Sequence, residues 1–392
     1  MRRLFCLCLC FCLLSLPAQA DGILDGLRYF GTPEDDQPVG LCRLSDGRLA
    51  AGYNACGDGQ IGYLALLGQE GEIHPLEGGA LQALCAVGDK LALLLRDGEG
   101  ASRLKLLAGP ELAAQAEAKV PFSAEGMAVV EDALVICGSA MRAEGDTCGV
   151  IAIYDADGNE LDTFYHDVAP ATGFTCVAPT ETGFVTGGWK EMEEGRAALM
   201  VFYTGSHDGQ TAWEEYQATG EHAEQSGSAV YTRVVSCPGG AIGLGSLIAG
   251  QERARTQGLA CRVDGDGRQE WRCAAGGTED SFFTDAVPYG SGWILVGQYQ
   301  DGEPPATEED ARGAWLYQLS SAGESLTDFS IFLDDGAFFS AILAEEDTLW
   351  VLGQSNTSSL WGADEWGGGG MDIFLAQLSQ LQKREFRLAL GE

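Results

Sequence analysis

Short apolar runs that stop on a glycine recur along this chain, and they restrict its fold more than any other feature does. They are Leu49-Ala-Ala-Gly52, Val135-Ile-Cys-Gly138, Val185-Thr-Gly-Gly188, Ile242-Gly-Leu-Gly245, Ile294-Leu-Val-Gly297 and Val351-Leu-Gly353. The glycines are spaced 86, 50, 57, 52 and 56 residues apart. The first interval is twice 43, and the apolar run Leu91 to Leu95 sits at its midpoint without a glycine. Seven copies of one unit follow. A chain built from repeats can exceed the size of an ordinary single-core domain.

The copy from Gly276 to Leu319 is the most regular. An alternating apolar run, a Gly-Ser-Gly turn, a run ending in Gly297, a polar loop and a third run predict three antiparallel strands. Third strands are expected at Ile61 to Leu67, Arg103 to Leu107, Val150 to Tyr154, Ala198 to Tyr203, Leu259 to Val263, Ala314 to Leu319 and Ile373 to Leu378. A short polar turn follows each. A fourth strand then often carries an aromatic residue, as at Phe164, Trp213, Trp271, Phe329 and Phe386. Four short antiparallel strands per unit predict an all-β chain, a single seven-bladed β-propeller over residues 21–392, with six or eight blades as the alternatives. The 55 glycines fit its many turns. Two closures of the ring are open. Leu27 to Gly31 reads as a fourth strand displaced to the N-terminus, and Arg384 to Leu390 reads as the last blade's own.

Residues 1–20 read as a secretory signal peptide. Arg2 and Arg3 precede an apolar core from Leu4 to Leu16, and Ala18-Gln19-Ala20 supplies small residues for cleavage. The core is too short to span a bilayer. The expected location is therefore secreted, extracellular or in the cell envelope, with no membrane insertion. Without the leader, 21 basic residues face 58 acidic ones, a net charge of −37. Such a surface repels phosphates and anionic lipid heads, which argues against a nucleic-acid partner. It suits solubility, divalent cations or a basic partner, and the chain reads as a monomer.

Thirteen cysteines less the four in the leader leave nine, an odd number, in a compartment that permits disulfides. Cys261 and Cys273 flank the turn Asp264 to Arg268 symmetrically, so a bridge between them is expected. Cys137 with Cys148 is a second candidate. No C-x-x-C pair and only four histidines argue against a structural metal site.

Gly276-Gly-Thr-Glu-Asp-Ser-Phe, Gly292-Trp-Ile-Leu-Val-Gly297 and Gly313-Ala-Trp-Leu-Tyr-Gln-Leu319 resemble the repeat of bacterial secreted β-propeller proteins of the quinoprotein-like and WD40-like kind. Val351-Leu-Gly353, Met371-Asp-Ile-Phe-Leu375 and Phe30-Gly-Thr-Pro-Glu-Asp-Asp36 match more loosely, and the second and third units are degenerate. The resemblance implies a fold. Its motifs carry no chemistry, and the dense basic ligand set of a quinone cofactor is not visible, so no cofactor is expected.

Ser206-His-Asp-Gly-Gln-Thr-Ala-Trp213 is similar to the Asp-box of sialidase-type propellers, with Gly209 and Thr211 one place early. Asp155-Ala-Asp157-Gly-Asn159 and Asp264-Gly-Asp266 are similar to calcium loops but lack the sixth-place glycine and the twelfth-place glutamate, leaving only weak calcium binding open. Both read as turns. The four mature histidines read as solvated residues of outer strands and turns, and no nucleophile motif stands beside them. The variable parts are the loops between second and third strands, read as long in units three to seven. Here lie Trp189 beside Glu191, Glu193 and Glu194, then Tyr299, then Trp361, Asp364, Glu365 and Trp366. Exposed aromatic residues with neighbouring carboxylates are how many sugar and peptide sites are built. The expected function is a non-enzymatic module binding an extracellular protein or glycan through this loop face. The alternative is a carbohydrate-active hydrolase or lyase using carboxylates near the central channel.

Overall fold

The computed structural model describes residues 24–379, apart from 58–59, 68–71, 144, 167–170, 194, 205–211, 218–227, 250–254, 278–279, 301–311, 332–336, 346–347 and 356–370. The expected signal peptide, the Asp-box up to Thr211, and the sites at Trp361, Asp364, Glu365 and Trp366 therefore lie outside the described residues, as does Arg384 to Leu390. The strands form seven four-stranded antiparallel sheets, one per repeat, and make a seven-bladed β-propeller. The seven first strands are Asp36–Arg43, Ala80–Val87, Ser123–Val130, Thr172–Thr180, Ser228–Cys237, Phe282–Tyr289 and Phe338–Glu345. They begin blades 1 to 7 and together line the central channel.

Blade 7 resolves the two closures left open by the sequence. Its outermost strand is the N-terminal Leu24–Phe30, paired antiparallel with Asp372–Ser379. The chain's beginning thus completes the sheet made by its end, which ties the two ends of the ring together in one blade.

Hydrophobic packing falls between blades. Among the described residues, seven buried clusters each join two neighbouring blades, including the junction of blades 7 and 1. Both faces of an inner sheet are covered, so its strands read as continuous apolar runs such as Leu91 to Leu95. This is why the repeat shows most clearly in second and third strands.

The marker glycine has a local cause. Every first strand carries one β-bulge at the same place, at Val39, Gln82, Glu125, Thr175, Thr232, Thr284 and Ser340. In blades 3 to 7 the residue just before the bulge pairs with the marker glycine: Ala124 with Gly138, Phe174 with Gly188, Tyr231 with Gly245, Phe283 with Gly297 and Phe339 with Gly353. A Cβ on Gly138, Gly188, Gly245, Gly297 or Gly353 would collide with the carbonyl oxygen of Ser123, Gly173, Val230, Phe282 or Phe338 respectively. Gly52 is not the equivalent residue. It pairs with Gly40, after the bulge, and Tyr53 takes the marker position opposite Pro38. In blade 2 that position is Leu95, opposite Leu81.

Three further expectations are corrected. No bridge joins Cys261 to Cys273. A register shift at Arg262/Val263 sets Cys261 opposite Arg272 and Cys273 opposite Ala260, so the two thiols point to opposite faces of the sheet. Cys137 faces Ile151 while Cys148 faces Ala140, again on opposite faces, and all nine cysteines are free. Burial pushes the Cys176 thiol up to about 12. Second, unit four has no long loop between its second and third strands. Gly183–Met192 and Gly195–Thr204 continue as a ladder to Met192 opposite Gly195. Third, His166 is buried at the end of its outer strand, its ring 5.4 Å from that of Phe174.

The turns that resembled calcium loops tie themselves. One Asp155 oxygen accepts the backbone N–H groups of Asp157 and Asn159 at 2.9 and 2.8 Å, and the other accepts the Asn159 side-chain amide. Asp264 does the same with the N–H groups of Asp266 and Arg268, and Ser320 with those of Ala322 and Glu324. Gly158, Gly267 and Gly323 close these three turns at φ of 85°, 78° and 77°. The Asn159 hydrogen bond, with the backbone donors, holds the Asp155 carboxyl below its ordinary range.

Candidate functional site

Two regions can hold chemistry: the central channel, and the face on which second strands hand over to third strands. The channel is a cavity of about 250 Å³ to which all seven blades contribute. Its wall is the ring of bulges. A bulge leaves one residue without a cross-strand partner and re-aims its side chain, and in blades 4, 6 and 7 that side chain links to the next blade.

The Thr175 hydroxyl donates to the Tyr231 carbonyl of the next blade and to Gly187 of its own, at 3.2 Å for the latter. Thr284 donates to Phe339 at 2.7 Å and to Val296 at 3.1 Å. Ser340 reaches Pro38 of blade 1 at 3.4 Å, across the ring closure. Each next-blade acceptor is the carbonyl just before the next bulge. In blades 1 and 2 second-strand residues take this role. The Asn54 amide donates to Leu81 O at 2.9 Å and accepts Leu81 N–H at 2.7 Å, and Arg96 donates to Ala124 O at 2.8 Å.

The channel's two carboxylates are both held by arginines of the preceding blade. Glu125 is held by Arg96 at 2.9 Å. Asp285 accepts Arg233 Nε and Ala286 N–H on one oxygen, at 2.9 and 3.0 Å, and Ile342 N–H on the other at 3.1 Å. One aspartate thus joins blades 5, 6 and 7. Its charge beside the Arg233 guanidinium raises the arginine's pKa further, so that side chain is always cationic. The position after each bulge is otherwise small: Gly40, Ala83, Gly126, Cys176 and Ala341. Arg233 and Asp285 are the two departures.

On the loop face, Trp189 lies in the ladder opposite Ala198. Its ring packs over Gly173, and the Arg196 guanidinium sits 3.9 Å from the ring centroid. Tyr299 is half-buried in blade 6, its ring 5.6 Å from Trp315, which stacks on Phe283 at 4.6 Å. Trp189 and Tyr299 therefore stand on separate blades, each packed against its own sheet. The longest described interruptions on this face fall between Gln300 and Arg312 and between Ser355 and Asp372.

A third polar cluster lies at the ring closure. Asp36 and Asp372 are 2% and 0% exposed, and a Cβ on Gly31 would strike carboxylate oxygens of both. Thr32 donates its N–H and hydroxyl to Asp36 at 2.6 and 2.9 Å. Burial, with the Asp372 charge adding to it, raises Asp36 to about 6.

The sequence reading passed over the channel residues, yet a signal for them exists. Phe174-Thr175, Tyr231-Thr232, Phe283-Thr284 and Phe339-Ser340 place an aromatic and a hydroxyl residue at the same intervals as the marker glycines.

No family model matches this sequence, and no curated protein matches it. Among solved structures the chain is similar to Sqt1 from Saccharomyces cerevisiae, at 9% identity and a TM-score of 0.47, covering 91% of this chain and 99% of that one. It is also similar to the β-propeller domain of the trilobed protease from Pyrococcus furiosus, whose velcro topology is described as open, at 11% identity and a TM-score of 0.45, with 82% and 92% covered. The sevenfold ring of the present chain rests on its own strand pairing.

Proposed function

We propose that this chain is a secreted, non-enzymatic interaction propeller that engages an extracellular protein or glycan through its loop face. The observation that carries this reading is the use made of the channel carboxylates. Glu125 and Asp285 are each occupied by an arginine, and Asp285 by two backbone amides as well. Glycoside hydrolysis needs one carboxyl to give a proton and another to attack or activate water. Groups committed to holding blades together are poorly placed for either task. Variation is instead spent on the connections after Gln300 and Ser355, as expected for loops on a rigid scaffold. The acidic surface favours a partner with a cationic face.

Glycan and peptide arrays probed with the mature protein test this reading. Trp361→Ala with Trp366→Ala should abolish retention on the array while leaving thermal melting unchanged. Retention unaffected by the double substitution would remove those aromatic residues from the binding face.

A further inference from the structure

Among the described residues, no side chain links to the next pre-bulge carbonyl after blade 3, whose bulge residue is Glu125, or after blade 5, whose bulge residue is Thr232. The bulge hydroxyls of Thr175, Thr284 and Ser340 all donate to the next blade, whereas the Thr232 hydroxyl makes no such bond and its side chain is exposed to the channel. The next residue is Arg233, whose side chain keeps 47% of its surface exposed although protein encloses the channel around it. Its bond to Asp285 runs through Nε alone, and its two terminal nitrogens have no protein partner among the described residues. Asp285 is in turn fixed by Ala286 N–H and Ile342 N–H. Among the described residues the guanidinium is thus held by its inner nitrogen alone, and the Thr232 hydroxyl on the adjoining residue has no hydrogen-bond partner.

We propose that Thr232 and Arg233 form a receptor, inside the central channel, for the carboxylate of a small organic acid. A guanidinium edge is planar and matches a carboxylate with two parallel hydrogen bonds, and the adjacent hydroxyl supplies a third donor. The size of the cavity limits the rest of the ligand. About 250 Å³ falls just below the usual ~300–1,000 Å³ of small-molecule sites, which admits a short acid and excludes an oligosaccharide. Charge limits it further. Glu125 and Asp285 line the same channel, so a monoanion is favoured over phosphate or sulfate. This site does not depend on the loop face, and either can fail without the other.

The test is isothermal titration of the mature protein with propionate and, separately, with inorganic phosphate and sulfate. Saturable propionate binding is expected, with phosphate and sulfate at least about 10-fold weaker. Thr232→Val leaves the Arg233–Asp285 pair in place and should weaken propionate about 10-fold without changing the melting temperature, as one charge-assisted hydrogen bond implies. Arg233→Gln should weaken it about 100-fold. Absence of saturable propionate binding, or binding indifferent to both substitutions, overturns the proposal. Equal binding of sulfate and propionate overturns the carboxylate assignment.

Discussion

Blades 4 to 7 and blades 1 to 3 solve the same packing problem with different residues. In blades 4 to 7 an aromatic precedes the bulge and a glycine faces it, as in Phe283 with Gly297. In blade 1 the pair is Pro38 with Tyr53, so the large residue has moved to the second strand, and in blade 2 it is Leu81 with Leu95. Blade 3 keeps the glycine, with Ala124 opposite. The links between blades differ as well: bulge hydroxyls of blades 4, 6 and 7 reach carbonyls of the next blade, while Asn54 and Arg96 do so from second strands. What the ring holds constant is a bulge at one height and a filled slot beside it. Residue identity is free as long as the pair fits.

The sharpest way to break this comparison is to fill the glycine slot. Gly297→Val puts a side chain against the Phe282 carbonyl, where backbone has to move, and should cost about 3 kcal/mol in chemical denaturation. Gly52→Ala meets first the Leu81 and Leu84 side chains, which can repack, and should cost about 1 kcal/mol. Equal losses at the two positions would contradict the distinction between the blade sets.

The ionic links should rank next. Asp285→Ala leaves the buried side of Arg233 and two backbone amides without their acceptor, and a loss of about 2–3 kcal/mol is expected. Glu125→Ala removes a half-exposed partner of Arg96 and should cost less than about 1 kcal/mol. Denaturant midpoints at constant slope measure both.

The closure between blades 7 and 1 should respond to pH. The folded Asp36 binds its proton more tightly than the unfolded chain does, at about 6 against an ordinary value near 3.9. Its contribution is complete below about pH 4 and is lost as pH rises through about 6, to the extent of roughly 2 kcal/mol. Melting temperature should therefore fall between about pH 4 and about pH 6.5 in this term, and Asp36→Asn should flatten the profile. A profile unchanged by that substitution contradicts the assignment. Thr284→Val removes the donor to Phe339 and Val296 and should cost about 1 kcal/mol, as much as Gly52→Ala.

The same comparison explains what could be read from sequence. Runs such as Ile294 to Gly297 are buried on both faces and end at a backbone contact, so composition and punctuation are both constrained and the blade count follows. Gly52 misled by one register because blade 1 fills its slot from the other strand. The Cys261–Cys273 bridge failed because one shifted residue beyond the turn turns a facing pair into residues on opposite faces. The channel was harder to see because its bulge residues range from Val39 through Glu125 to Ser340. They share a backbone geometry and few side-chain properties, and a bulge leaves no fixed residue type in a sequence.

The proposed division of the molecule into a structural inner ring and a binding loop face is tested by one ligand-retention experiment. On the array, Glu125→Gln with Asp285→Asn should melt at a lower temperature yet retain the protein or glycan ligand, while Trp361→Ala with Trp366→Ala should melt normally and lose it. Loss of the ligand in the channel variant, with retention in the loop variant, would contradict the account.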